Sequence, residues 1–175
     1  PFVVNVEDPH NCLKRDSVRY NKRTIVERML FLRKEAERNP KKRALNNYLL
    51  GNAYFNMSWH GKYWILSRIS WSMWENQYGE ERSGPTYGDD DYYGNVRAKE
   101  HYLIALKNAK DPVLKAMACL MANQCEYHWG EYMNFDDPLG PEPPYAYQLT
   151  DRRSQEAYRA IEECRSYTDF VKRFR

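Results

Sequence analysis

The stretch Leu50-Gly51-Asn52-Ala53-Tyr54 and its echo, Met121-Ala122-Asn123-Gln124-Cys125, decide how this chain is read. Each runs large, small, two free positions, large. On a helix, residues three and four apart share a face. The small residue therefore marks a point where a neighbouring helix comes close, with a bulky residue on either side. The pattern predicts the first helices of two helix-hairpin repeats.

Working outward, Ile25, Met29, Leu32 and Ala36 recur at four, three and four residues, which predicts a helix from about Ser17 to Asn39. Pro40 ends it, because the residue before a proline is pushed out of the helical region. A second helix is expected from Lys41 to Ser58, with Ala44, Leu45, Tyr48, Leu49, Gly51 and Phe55 on its apolar face and Gly61 closing it. Residues 62–78 predict another helix, carrying Trp64, Trp71 and Trp74, and 79–94 a Gly- and Asp-rich loop. Asn95 is placed to cap the next helix, lined by Ala98, Tyr102, Ala105 and Leu106. Asp111-Pro112 restarts the chain: Asp at the cap, Pro at the first helical position, where no amide is missed. Leu114, Met117, Ala118, Met121 and Cys125 form the following face. Gly130 to Thr150 reads as a second loop, and a last helix runs from about Asp151 to Arg165. Apart from Phe2 to Val6, no run alternates with period two, which predicts an all-α fold. The organisation is an extended segment over 1–16 and one all-α domain over 17–175, with insertions at about 61–94 and 130–150.

Composition narrows the function classes. A chain of 175 residues with 42% hydrophobic content can bury one core. The aromatic share is 15%, mostly tyrosine, which suits half-wet surfaces and interfaces. The net charge of +3 and the short basic runs Lys41-Lys42-Arg43 and Lys172-Arg173 do not describe a nucleic-acid binder. No apolar run approaches the ~20 residues that cross a bilayer. The opening Pro1-Phe2 is expected to belong to a longer protein. Cys119, Cys125 and Cys164 fall among apolar residues at helical positions, which predicts buried thiols rather than disulfides.

Two repeats emerge when the second helices are added. Ala98, Tyr102 and Ala105 are spaced four then three, and so are Ala157, Ile161 and Cys164. Leu50, Gly51 and Tyr54 followed by Ala98, Tyr102 and Ala105 resemble the tetratricopeptide repeat; Met121, Ala122 and Cys125 with Ala157, Ile161 and Cys164 resemble a degenerate second copy. The tryptophan of that family is replaced here by Asn47. The resemblance implies antiparallel helix hairpins stacked as a short right-handed solenoid. Gly51 and Ala98 lie 47 positions apart and Ala122 and Ala157 lie 35, where an uninterrupted repeat needs about a dozen. Both insertions thus fall between first and second helix, and equivalent bends emerge on one edge of a solenoid, often the binding face. The segments Asn56-Met57-Ser58-Trp59-His60-Gly61, Arg97-Ala98-Lys99-Glu100-His101-Tyr102 and Glu163-Cys164-Arg165-Ser166-Tyr167 are also similar to large, mostly uncharacterised cell-envelope repeat proteins of gut-dwelling anaerobic bacteria. That similarity implies an envelope location and an architecture, not an activity.

The candidate binding surface is the first loop, Tyr87, Tyr92 and Tyr93 with Asp89, Asp90 and Asp91, joined from the second by Tyr145 and Tyr147. The tryptophans of 62–78 are assigned to the core. Asp89-Asp90-Asp91 lacks the alternating register and the distal glutamate of a calcium loop, and is expected to be solvated. Cys119, Cys125 and His128 lack the fourth ligand of a structural zinc site. No nucleophile elbow, phosphate-cradling loop or metalloprotease helix is present. The sequence therefore predicts no enzyme, no cofactor and no metal. It predicts an interaction or scaffolding module holding another protein or another domain of its own chain. The alternative is a glycan-binding accessory domain, by analogy with starch-utilisation lipoproteins whose repeat helices carry aromatic platforms.

Overall fold

The computed structural model describes residues 20–61, 63, 89–133 and 147–163. The expected extended segment 1–16, most of the helix expected over 62–78, Tyr87, Tyr145, Cys164 and the tail lie outside the described residues, as does the side chain of Asp89. Within them the chain forms α1 (Lys22–Arg38), α2 (Arg43–Met57), α3 (Asp89–Tyr92), α4 (Val96–Asn108), α5 (Pro112–Met133) and α6 (Arg152–Glu163). No strand occurs among the described residues.

The ends of these helices follow local chemistry. α1 starts later than Ser17 because Asn21 and Thr24 cap each other. Asn21 Oδ1 accepts from the Thr24 amide at 2.9 Å, and Thr24 Oγ1 accepts from the Asn21 amide at 2.9 Å. Asn39 ends it in an extended conformation ahead of Pro40, as expected. Asp111 caps α5 by accepting from the Leu114 amide at 2.8 Å, and Asp151 caps α6 by accepting from the Ser154 amide at 2.9 Å.

Three local expectations are corrected. Asn95 precedes α4 but caps nothing with its side chain; its backbone is left-handed, with φ 56°. Asparagine tolerates that region better than most residues, and the chain reverses there. The cap comes from Asp91 instead, whose Oδ1 accepts from the Arg97 amide at 3.1 Å. Its other oxygen meets Arg97 Nε at 2.8 Å. The triple aspartate thus opens a helical turn, α3, rather than a solvated loop. Gly130 does not end α5, which continues to Met133. A glycine inside a helix costs about 1 kcal/mol, which weakens a helix without ending it.

The helices pack in chain order, α1 on α2, α2 on α4, α4 on α5 and α5 on α6, with lighter contact between α2 and α5. α2 is therefore covered on several sides. Leu50 and Ala53 meet Ile25 and Leu32 of α1. Tyr48 and Phe55 meet Ala98, Tyr102 and Ala105 of α4 and Ala118, Met121, Ala122 and Cys125 of α5. Leu45 departs from its expected face and is 49% exposed. The central contact is Gly51 against Tyr102: a methyl group on Gly51 would lie 2.7 Å from the Tyr102 ring. Tyr102 is fully buried, stacks obliquely on Tyr48 at 5.7 Å, and donates its hydroxyl to Asn52 Oδ1 at 2.9 Å. In the echo, Ala122 and Cys125 are equally buried, and Cys125 packs as a small hydrophobe whose thiol burial pushes well up.

The first pair is antiparallel: Trp59, just past α2, donates its amide to the Tyr92 carbonyl ahead of α4. The second pair departs from the expected hairpin. Asp151, at the start of α6, binds Lys115 in the first turns of α5 at 2.7 Å, so the two helices begin near one another. The cause is the segment 147–151, which runs back along α5. Asn123 holds it by pairing both backbone groups of Tyr147, at 2.9 and 3.1 Å. The ends of α2 and α5 lie together: His60, after α2, stacks on His128, near the end of α5, with ring centroids 3.6 Å apart.

Tyr102→Phe removes the donor to a buried Asn52 oxygen while keeping the ring. It should lower stability by about 1–3 kcal/mol, read as a lower urea midpoint with unchanged slope. An unchanged midpoint would contradict the role given to that hydrogen bond.

Candidate functional site

Because α1 and α4 both pack on α2, they flank it and leave an open groove along it. The groove holds about 870 Å³. Its walls are three helical stripes at spacings of mostly three and four residues: Arg33, Ala36 and Glu37 of α1; Arg43, Asn47, Leu50 and Tyr54 of α2; Arg97, Glu100, His101, Ile104, Lys107 and Asn108 of α4. Leu50 and Tyr54 belong at once to the motif that sets the fold and to this surface.

The base of the groove is fixed by hydrogen bonds. Asn47 Nδ2 donates to the Arg43 carbonyl at 2.9 Å, which orients the amide and leaves Oδ1 toward His101. His101 Nδ1 lies 2.9 Å from that oxygen. An amide oxygen only accepts, so Nδ1 carries the proton and Nε2 is left with a lone pair. The His101 ring stacks on Tyr54, with centroids 5.4 Å apart and planes 9° apart. Burial, and second the nearby Arg33 guanidinium, hold the imidazole down at about 4. His101 is thus a neutral acceptor at ordinary pH. Arg43 Nε donates to the Ala36 carbonyl at 3.2 Å, tying α2 to the end of α1.

The charge of the lining is uneven: Arg33, Arg43, Arg97 and Lys107 face Glu37 and Glu100. Arg33 and Glu37 approach to 3.6 Å on an exposed surface, a weak pair. Ala36, Leu50 and Ile104 add apolar contact. The lining holds donors, one fixed acceptor and apolar patches, but neither serine, cysteine nor aspartate.

The described loop residues singled out in the sequence do not line this groove. Tyr92 is buried against Trp59 and Tyr93, with centroids 6.4 and 4.9 Å away. Tyr93 is half-buried beside Trp59, and its carbonyl lies 3.0 Å from His60 Nε2. Asp90 is exposed and Asp91 caps α4. Tyr147 is fastened to α5 through Asn123, and its hydroxyl reaches Glu126 at 3.4 Å. Burial, then the Glu126 carboxylate, raises its phenol. What sequence reasoning missed was the groove, whose lining brings together residues of three helices.

His101 makes folding pH-dependent. Its folded value, about 4, lies below the ordinary 6.5. As pH falls through that window the unfolded chain takes up the proton first, so stability declines from about pH 6.5 to about 4. His101→Asn keeps a donor near Asn47 and cannot titrate. The decline should be shallower in that variant when urea midpoints are followed against pH; parallel curves would contradict it.

Comparison with protein-family profiles, with curated proteins and with solved structures finds no match for this chain.

Proposed function

We propose that the chain is a helical-repeat interaction module, part of a larger envelope protein, that docks an extended segment of another protein or of a neighbouring domain in the groove along α2. The observation that carries this is the convergence of three helical stripes on one open groove of about 870 Å³. A rigid, half-apolar groove with a few fixed polar groups suits an extended chain. Asn47 supports the same view, since a tryptophan at that position would occupy the space that the groove leaves open.

In this proposal the helices form a right-handed stack in which α2 with α4 is an antiparallel repeat and α5 with α6, whose first turns lie together, is a second pair that has lost the hairpin; Gly51 and Ala122 are the close-approach positions. The close packing of Gly51 on Tyr102 and the full burial of Ala122 support it. The loop aromatics give less support to a glycan platform: Tyr92 is buried and Tyr147 is strapped to α5.

Selection of displayed random peptides on the intact chain tests the docking role. Ile104 lines the groove and is 41% exposed, so Ile104→Glu alters the surface without disturbing the core. Selected peptides should bind this variant at least about tenfold more weakly, a loss of about 1.4 kcal/mol. Failure to enrich any peptide, or enriched peptides indifferent to the substitution, would overturn the proposal.

A further inference from the structure

The chain holds one extended segment of itself against a helix, and the way it does so indicates what the groove accepts. From Asn123 to Lys115 is eight residues along α5, about 12 Å at the helical rise. The segment bound between them, Tyr147 to Asp151, spans four residue steps, about 13 Å when extended. It runs back along α5 and is held at both ends. Asn123 pairs the Tyr147 backbone, and Lys115 Nζ takes the Asp151 carboxylate at 2.7 Å. Backbone pairing and a cation–carboxylate contact are thus two of the means by which this segment is laid along α5, beside the burial of Leu149 and the Gln155 side chain on the Leu149 carbonyl.

The groove along α2 offers the same two kinds of contact to a chain from outside. At its base stands His101, whose Nδ1–H is taken by Asn47, so that Nε2 keeps a lone pair that can accept from a backbone N–H. On its walls four cations stand against two carboxylates; Arg97 is already held by Asp91, which leaves Arg33, Arg43 and Lys107 against Glu37 and Glu100. Arg33 and Lys107 are exposed on opposite walls, and Arg43 lies at the entrance to α2. From Arg97 to Asn108 the α4 wall is about 16 Å long, enough for about five extended residues.

We propose that the groove binds an acidic extended segment about five residues long, donating a backbone N–H to His101 Nε2 and placing carboxylates against Arg33 and Lys107. This rests on the docking role proposed above and names its ligand class. Attraction between the cationic walls and such a segment falls with ionic strength, since exposed charges are screened within about 10 Å at 0.1 M salt. The fixed acceptor favours a peptide over other anionic chains, because a peptide carries a donor at each residue.

The test uses heptapeptides of alternating alanine and glutamate, acetylated and amidated, with glutamine and lysine counterparts and an oligothymidylate of similar length. Binding to the intact chain is followed by fluorescence anisotropy. The glutamate peptide should bind at least about tenfold tighter than the glutamine peptide, lose affinity with salt, and weaken in Arg33→Gln and Lys107→Gln. On binding, the Nε2 nitrogen resonance of His101 should move as it does when a neutral imidazole accepts a hydrogen bond. Equal or tighter binding of the glutamine or lysine peptide, or indifference to both substitutions, would overturn the proposal, as would tighter binding of the oligothymidylate. If displayed peptides are selected through Ile104 but the glutamate peptide does not bind, the ligand class fails and the docking role stands. If neither binds, both fail.

Discussion

The approach of Tyr102 to Gly51 is the constraint on which the rest of the molecule depends. A glycine in the middle of a helix costs about 1 kcal/mol against alanine. Here it admits a fully buried aromatic ring, whose burial is worth about 1.5–3 kcal/mol. The ring sets how far apart α2 and α4 stand. Its hydroxyl, bonded to Asn52, keeps a polar atom satisfied in the middle of the core. A side chain at position 51 would push the helices apart and move one wall of the groove. Gly94 has a related role at the insertion end, where a side chain would collide with Trp129.

α2 is also unusual in burying Asn46, Asn47, Asn52 and Asn56. A helix covered on several sides has little wet face left for its polar residues; Asn46 Nδ2 is buried without a partner among the described residues, while other amides find partners inside. Asn47 does so with Arg43 and His101, Asn52 with Tyr102. The first of these networks fixes the imidazole tautomer and so determines what the groove presents. Packing and recognition thus meet on one helix. On α5, Asn123 solves the same problem by binding the Tyr147 backbone, which brings the returning segment back along α5 and places the start of α6 near that of α5.

Much of the fold was legible because it rests on local spacing. The apolar periods of α1, α2, α4 and α5, the stop at Asn39-Pro40 and the start at Asp111-Pro112 need only neighbours within a few residues. Gly51 was legible as a close-approach site because glycine between bulky residues has few other uses in a helix. The cap of α4 was not: it comes from Asp91, six residues upstream of the amide it holds, through a turn the sequence presents as a loop. The direction of α6 was hidden for a similar reason, since the Asn123–Tyr147 pairing is a long-range one. The groove was the least legible part. Arg43, Asn47, Leu50 and Tyr54 read singly as a mixed helix face, and His101 meets Asn47 across 54 residues. The loop tyrosines drew attention through composition, yet those that are described mostly support packing.

The central claim is that Gly51 exists for Tyr102. A double-mutant cycle tests it directly: Gly51→Ala measured by urea denaturation in the native background and in Tyr102→Leu. In the native background the new methyl group meets the ring and should destabilise by about 1–3 kcal/mol, outweighing the helix-propensity gain. With the ring removed the cost should vanish or reverse, giving a coupling energy of about 1 kcal/mol or more. The same cost in both backgrounds, within about 0.5 kcal/mol, would show that the two residues do not constrain one another.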